Sequence, residues 1–184
     1  MSTLLQNSKI KLRALEPEDL ELLYDWENNS TIWEHSSTLA PYSKFVLRSY
    51  LENAHKDIFE QKQVRFMIEL IDDKKAIGTI DLFDIDFYNL RAGVGILIGD
   101  NNYRHNGYAG HSLDLLLKYA FKHLDICQLY CNISVDNTYS LKLFKNKGFK
   151  VTGRKEAWIK SNGEMKDVFF LQLHTPKKLH TNVF

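Results

Sequence analysis

The stretch that decides the fold is Gly95-Ile96-Leu97-Ile98-Gly99-Asp100-Asn101-Asn102-Tyr103-Arg104-His105-Asn106-Gly107-Tyr108-Ala109-Gly110. It starts in aliphatic residues, crosses a polar run and enters a stripe of Leu113, Leu116, Leu117, Ala120, Phe121 and Leu124 at helical spacing. The pattern reads as strand, loop, helix. Backbone N–H groups at a helix start have no partner inside the helix, and the dipole adds partial positive charge, so such a junction can take up phosphate. Gly107 and Ala109 allow a close approach to the backbone. The segment is not a Walker loop, because no Gly-Lys-Ser/Thr follows a four-residue spacer, and the three-glycine dinucleotide fingerprint is absent as well. A glycine-containing turn ahead of a helix also serves folds that bind nothing, so the junction alone leaves both readings open.

Working upstream, Lys9 to Leu15 alternates like a half-buried strand, and Pro17 opens a helix through about Asn28, with Glu16, Glu18 and Asp19 at its positive end. A second helix is predicted from Ser43 to about Gln61. Three strands follow at Val64–Ile71, Ala76–Asp84 and Ala92–Gly99, the first two joined by the turn Asp72-Asp73-Lys74-Lys75, which predicts an antiparallel meander. Downstream, Gln128–Val135 returns to strand composition, Tyr139–Lys147 to helix with Gly148 at its end, and Phe149–Arg154 and Asp167–Leu173 to strands around Ser161-Asn162-Gly163. This order implies one mixed α/β domain over residues 1–184, with its core at about 9–174 and helices covering a mostly antiparallel sheet.

Composition narrows the function. Against 24 basic residues stand 23 acidic ones, a net charge of +1, which argues against a broad nucleic-acid surface. Lys142, Lys145, Lys147, Lys150, Arg154 and Lys155 read instead as a solvated face. Neither a secretion signal nor an apolar run long enough for a membrane helix is present, so the expected compartment is the cytoplasm, with no membrane partner. Alternation puts Cys127 and Cys131 on one strand face as buried thiols, and seven scattered histidines predict no metal. A symmetric homodimer is the default assembly.

Arg104-x-x-Gly107-x-Ala109 after a strand, followed by Asn137-x-x-Ser140-x-x-Leu143-Phe144-x-x-x-Gly148-Phe149, resembles the acetyl-CoA motifs of GNAT N-acetyltransferases. Leu12-Arg13-Ala14-Leu15-Glu16-Pro17-Glu18-Asp19 and Trp26-x-Asn28-Asn29 resemble the branch of spermidine and ribosomal-protein N-terminal acetyltransferases. The likeness spans roughly residues 9 to 174. It implies that backbone groups of Ile96, Leu97 and Ile98 pair with the pantetheine arm and that N–H groups from His105, Asn106, Gly107, Tyr108, Ala109 and Gly110 meet the pyrophosphate, with Arg104 adding charge or shaping the loop. It further implies that Asn137 touches pantetheine and that Ser140, Phe144 and Lys147 line the CoA wall. An ordinary buried strand at Ile96–Ile98 and a helix cap at Asn137 are compatible with those roles.

The resemblance implies acetyl transfer from acetyl-CoA to a primary amine of a small molecule, polyamine-like or other, or of a peptide N-terminus. The alternative is a CoA-binding regulatory or interaction protein. Two departures bear on the choice. Relatives commonly carry a tyrosine where Phe144 stands, and a carboxylate on the strand where Gly93 stands, so neither the family's proton donor nor its base carries over. The catalytic residues are therefore unassigned from sequence. Water or Tyr139 or Tyr130 are the substitutes considered, and positioning alone can accelerate the step by orders of magnitude. On the acceptor side the resemblance points to Trp33, Glu34, His35, Tyr42, Trp158 and Lys160, with Glu52 and Glu69 as further carboxylates. Ser36-Ser37-Thr38-Leu39-Ala40-Pro41-Tyr42-Ser43 is uncharged where spermidine enzymes tend to be acidic.

Overall fold

Period-two apolar patterning builds a seven-stranded sheet in the order β1-β2-β3-β4-β5-β7-β6. The computed structural model describes residues 4–36, 38–54, 56–161 and 163–175. The strands are β1 (Ile10–Arg13), β2 (Val64–Leu70), β3 (Ala76–Asp86), β4 (Arg91–Ile98), β5 (Gln128–Ser134), β6 (Lys150–Ser161) and β7 (Glu164–His174). The helices are α1 (Leu20–Glu27), α2 (Ser30–Ser36), α3 (Lys44–Asn53), α4 (Ile58–Gln61), α5 (Tyr108–Lys122) and α6 (Thr138–Asn146). The meander through β2, β3 and β4 is antiparallel, and β4 with β5 is the parallel pair among the described strands.

Leu12, Phe66, Ile80, Val94, Leu129, Cys131 and Leu171 project from the sheet into one core with Leu113 and Leu116 of α5 and Phe144 of α6. Met67 and Ala76 contribute to a second cluster with Leu23 and Trp26 of α1, against which Leu51 and Leu97 pack. The two clusters are the reason the helices fall into two layers.

Several expectations require correction. The long second helix is two, α3 and α4, because Asp57 caps a new start by accepting from Phe59 N–H at 2.6 Å. Helix α2 was not anticipated; its seven residues show no apolar stripe of useful length. The first helix opens with a 3-10 turn, Pro17–Asp19. Cys127 precedes β5 and is half-buried, so only Cys131 is a core thiol. Strand β6 runs well past Arg154, and Asn162 of the expected turn lies outside the described residues. Among the described residues no helix is long and apolar enough to cross a membrane, and no three His, Cys, Asp or Glu side chains converge.

The β1–α1 corner is held by one ion-pair knot. Arg13 donates to Asp19 Oδ2 and Oδ1, both at 2.8 Å, and to Glu69 Oε2 at 2.5 Å, while Asp19 also accepts from Glu16 N–H at 2.8 Å. Asp19 is only 4% exposed, so its removal strands buried donors. Asp19→Ala is expected to lower the unfolding free energy by about 2–3 kcal/mol in a urea titration, Glu69 retaining part of the Arg13 interaction.

Candidate active site

The site begins with a failure of pairing. Strand β4 bonds to β5 only at Arg91, Ala92 and Gly93, opposite Gln128, Leu129 and Tyr130. Beyond that point β4 continues along β3 to Ile98 and β5 continues along β7 to Ser134, so the two strands part. From Val94 onward β4 has no strand on its β5 side. Two cavities occupy the gap and share Ile96, Asn137 and Ser140 as walls.

The larger, about 550 Å³, lies over the start of α5. It is lined by Ile96, Leu97, Ile98, Arg104, His105, Gly107, Tyr108, Ala109, Gly110, Asn137 and Ser140, which the sequence had singled out, together with Tyr103, Tyr139 and Leu143. The loop turns into the helix through two left-handed residues, His105 (φ 62°) and Gly107 (φ 84°). Gly107 is needed for its backbone angle, since a Cβ there would meet nothing within 4 Å. Arg104 donates its Nε–H to Ile98 O at 3.0 Å, tying the loop to the end of β4. Asn137 caps α6, accepting from Ser140 N–H at 3.1 Å.

Three singled-out residues are not on this wall. Asn106 turns back along the loop, its Nδ2 donating to Asn102 O. Lys147 donates to both Asp114 carboxylate oxygens at 2.7 Å, joining α6 to α5. Phe144 is buried edge-on against Phe149, with ring centroids 5.0 Å apart, and lines the second cavity. Tyr139 is 72% exposed and packs on the His105 ring at 4.6 Å.

The second cavity, about 330 Å³, lies deeper in the gap between Val94–Ile96 and Cys131–Ser134, and is closed by Lys155, Trp158, Ile159 and Val168. Burial pushes the Cys131 thiol up to about 12, the opposite of an activated nucleophile. Among the described side chains, Trp158 alone of the acceptor-side candidates stands on this wall. Trp33 donates its indole N–H to Glu27 O at 2.6 Å, Tyr42 bonds by its backbone to Asn28, Glu52 lines a different cavity and Glu69 serves Arg13 and Lys11. Glu34 and His35 lie outside the described side chains. The basic run is likewise partly engaged, with Arg154 on Asp167 and Lys155 on Asn132.

Sequence reasoning missed Asp81. On β3 it stands opposite Gly95 of β4, and a Cβ on that glycine would lie 2.9 Å from Asp81 Oδ1. The carboxylate therefore sits against the part of β4 that has left β5. Burial raises its pKa above the ordinary carboxylate range, against the opposing pull of Arg65. Arg65 Nε stands 3.8 Å from Asp81 Oδ1, too far for a hydrogen bond, while Arg65 Nη1 donates to Glu27 at 3.1 Å. The available signal was an acid inside the apolar run Ala76-Ile77-Gly78-Thr79-Ile80-Asp81-Leu82-Phe83.

Gly93 has a packing reason. A Cβ there would stand 2.4 Å from Phe83 Cε2, so the ring occupies the space a side chain would need.

Residues 9–150 match the GNAT acetyltransferase domain, and the chain belongs to that family. Membership makes it an acetyl-CoA-dependent N-acetyltransferase. Spermidine N(1)-acetyltransferase of Escherichia coli K12 is 32% identical over 144 residues, covering 78% of this chain and 74% of that protein. The enzyme of the same name from Vibrio cholerae is 29% identical over 162 residues, covering 88% and 91%. The structure of Vibrio cholerae spermidine N-acetyltransferase with CoA and spermine superposes with a TM-score of 0.81 at 28% identity over 91% of this chain and 96% of that one. A dodecameric form of the Vibrio cholerae enzyme gives a TM-score of 0.78 at 28% identity over 96% and 99%.

Gly93→Ala is expected to cost about 1–3 kcal/mol of stability by driving Phe83 from its place. In a Phe83→Ala background the same substitution should cost less than about 1 kcal/mol, the coupling being read from a double-mutant cycle of denaturant midpoints.

Proposed function

We propose that the larger cavity holds acetyl-CoA and that the smaller one holds its acetyl end, where a primary amine of a small molecule or a peptide N-terminus receives the group. The observation that carries this reading is the parting of β4 from β5 beside a helix start. It leaves backbone donors and acceptors unpaired along one wall and a cluster of N–H groups at the end of that wall. A long ligand with an amide-bearing arm and a pyrophosphate satisfies both. The N–H groups from His105 to Gly110 take the pyrophosphate, the free edge of Ile96–Ile98 takes the arm, and Asn137 and Ser140 close the other side.

Attack on the thioester requires an uncharged amine, so a proton must leave the ammonium form first. Asp81 is suited to accept it through water, because it lies behind Gly95 of the cavity wall and its burial favours proton uptake. Phe144 contributes no proton to the departing thiolate and acts as an apolar wall. The spermidine enzymes among the relatives make polyamines the first acceptors to test, and the dodecameric relative makes self-association worth measuring by sedimentation.

Binding is tested by calorimetry with acetyl-CoA. Gly107→Ala forces a Cβ into the left-handed region at a cost of about 1–2 kcal/mol, which corresponds to roughly tenfold weaker acetyl-CoA binding if the loop relaxes. An unchanged affinity would remove the loop from the site.

Turnover is read as thiol release against amine panels. As the base, Asp81 must be ionised, so kcat/KM should fall as pH drops through a pKa raised above the ordinary carboxylate value. Asp81→Asn should lower kcat by about 10²–10⁴-fold, abolish that acid limb and leave acetyl-CoA affinity unchanged. Retention of the limb in the variant would exclude Asp81 as its source.

A further inference from the structure

Lys155 faces the smaller cavity under unusual restraint. Its Nζ donates to Asn132 Oδ1 at 2.8 Å and lies 4.9 Å from the Trp158 ring centroid and 5.7 Å from that of Phe170. No carboxylate of the described residues forms an ion pair with it, and none lines this cavity. The neighbouring acids are already committed. Asp167 accepts from Arg154, Asp136 and Glu164 pair with Lys166, and Asp81 lies behind Gly95 with Arg65 nearby. Lys155 is half-buried, and its ammonium lies against two aromatic rings, an arrangement that favours a cation.

The position of this cation is built by the chain. Lys155 pairs with Val168 and Ile159 with Lys166, so Glu156, Ala157 and Trp158 stand opposite Asp167 alone. The excess is absorbed by Ala157, whose φ of 46° is left-handed. Asp167 clamps this bulge, accepting from Ala157 N–H at 2.8 Å and from Arg154 Nε at 2.6 Å. In a regular strand two successive side chains point to opposite faces. Here the bulge lets both Trp158 and Ile159 line the cavity, with Lys155 across from them.

Resting on the acetyl-transfer reading of this cavity, we infer that the acceptor is an amine that also carries an anionic group, carboxylate or phosphate, which pairs with Lys155. A carboxylate or phosphate supplies the missing counter-charge, and Asn132 holds the ammonium in place for it. A second ammonium on the acceptor would instead be brought toward an uncompensated cation, a like-charge contact that works against polyamines. Lys155 is thus a specificity-determining residue and takes no part in the proton steps.

The test uses the full chain and two matched acceptor pairs, glucosamine 6-phosphate against glucosamine and 4-aminobutanoate against 1,4-diaminobutane. Thiol release from acetyl-CoA is followed for wild type, Lys155→Met, which keeps the aliphatic packing on Trp158, and Lys155→Glu. In at least one pair, kcat/KM for the anionic member is expected to exceed that of its partner by about tenfold or more, the worth of a charge-assisted hydrogen bond. Lys155→Met should collapse that ratio to near unity through KM, weakening use of the anionic member and improving use of 1,4-diaminobutane as the like-charge contact is removed, and Lys155→Glu should invert it. Binding of glucosamine 6-phosphate and of 4-aminobutanoate to the CoA-free protein, measured calorimetrically, should show the same dependence on Lys155. That arm requires no acetyl transfer, so an error in the donor assignment appears separately as absent acetyl-CoA binding. Equal or better use of glucosamine and 1,4-diaminobutane by wild type overturns the inference. So does a uniform fall in kcat for all four amines in Lys155→Met, which would place Lys155 in the chemistry. Calorimetric silence toward both anionic amines overturns it too.

Discussion

A strand that leaves its neighbour halfway along is the constraint from which the site follows. Buried backbone groups are nearly always paired, so the edge that opens after Gly93 calls for other partners, of which Arg104 supplies one at Ile98 O. The opening also fixes direction. Because β4 and β5 run parallel, the chain must cross over between them, and the crossover helix α5 necessarily starts at the end of β4 where the gap is widest. The free strand edge and the positive end of a helix are thereby brought together by topology.

The charges around the gap are distributed unequally. On the β3 side, Arg65 stands between Glu27 and Asp81 and over the Tyr50 ring. Burial alone would make Arg65 easier to deprotonate, and the surrounding acids and Tyr50 outweigh it, so the guanidinium stays charged. On the β6 side, Lys155 has aromatic rings and an amide around it. The two lips of the gap therefore present different chemistry to whatever enters between them.

Much of this was legible in the sequence where local pattern and tertiary role coincide. The strand–loop–helix at Gly95–Gly110 and the Asn137 cap are written in turn and cap chemistry, which operates over a few residues. The parting of β4 and β5 is not local, since Val94–Ile98 has the composition of any buried strand and only the pairing register exposes its free edge. The placement of Asp81 was hidden for the same reason: it lies against Gly95, a partner in another strand. The bulge at Ala157 ended the predicted strand early, because Glu156-Ala157-Trp158 breaks the alternation that identifies β6. The pairing of Lys147 with Asp114 was not legible, because its proximity to the motif says nothing of a residue on α5.

The bond from Arg104 to Ile98 O has a thermodynamic corollary. It ties the loop to the end of β4 and Lys75 pairs with Asp100 at the loop's start, so the segment is ordered as part of folding. Ligand association then meets a rigid surface, and its heat-capacity change should reflect contact area alone, without the large negative contribution that accompanies a segment folding around its partner.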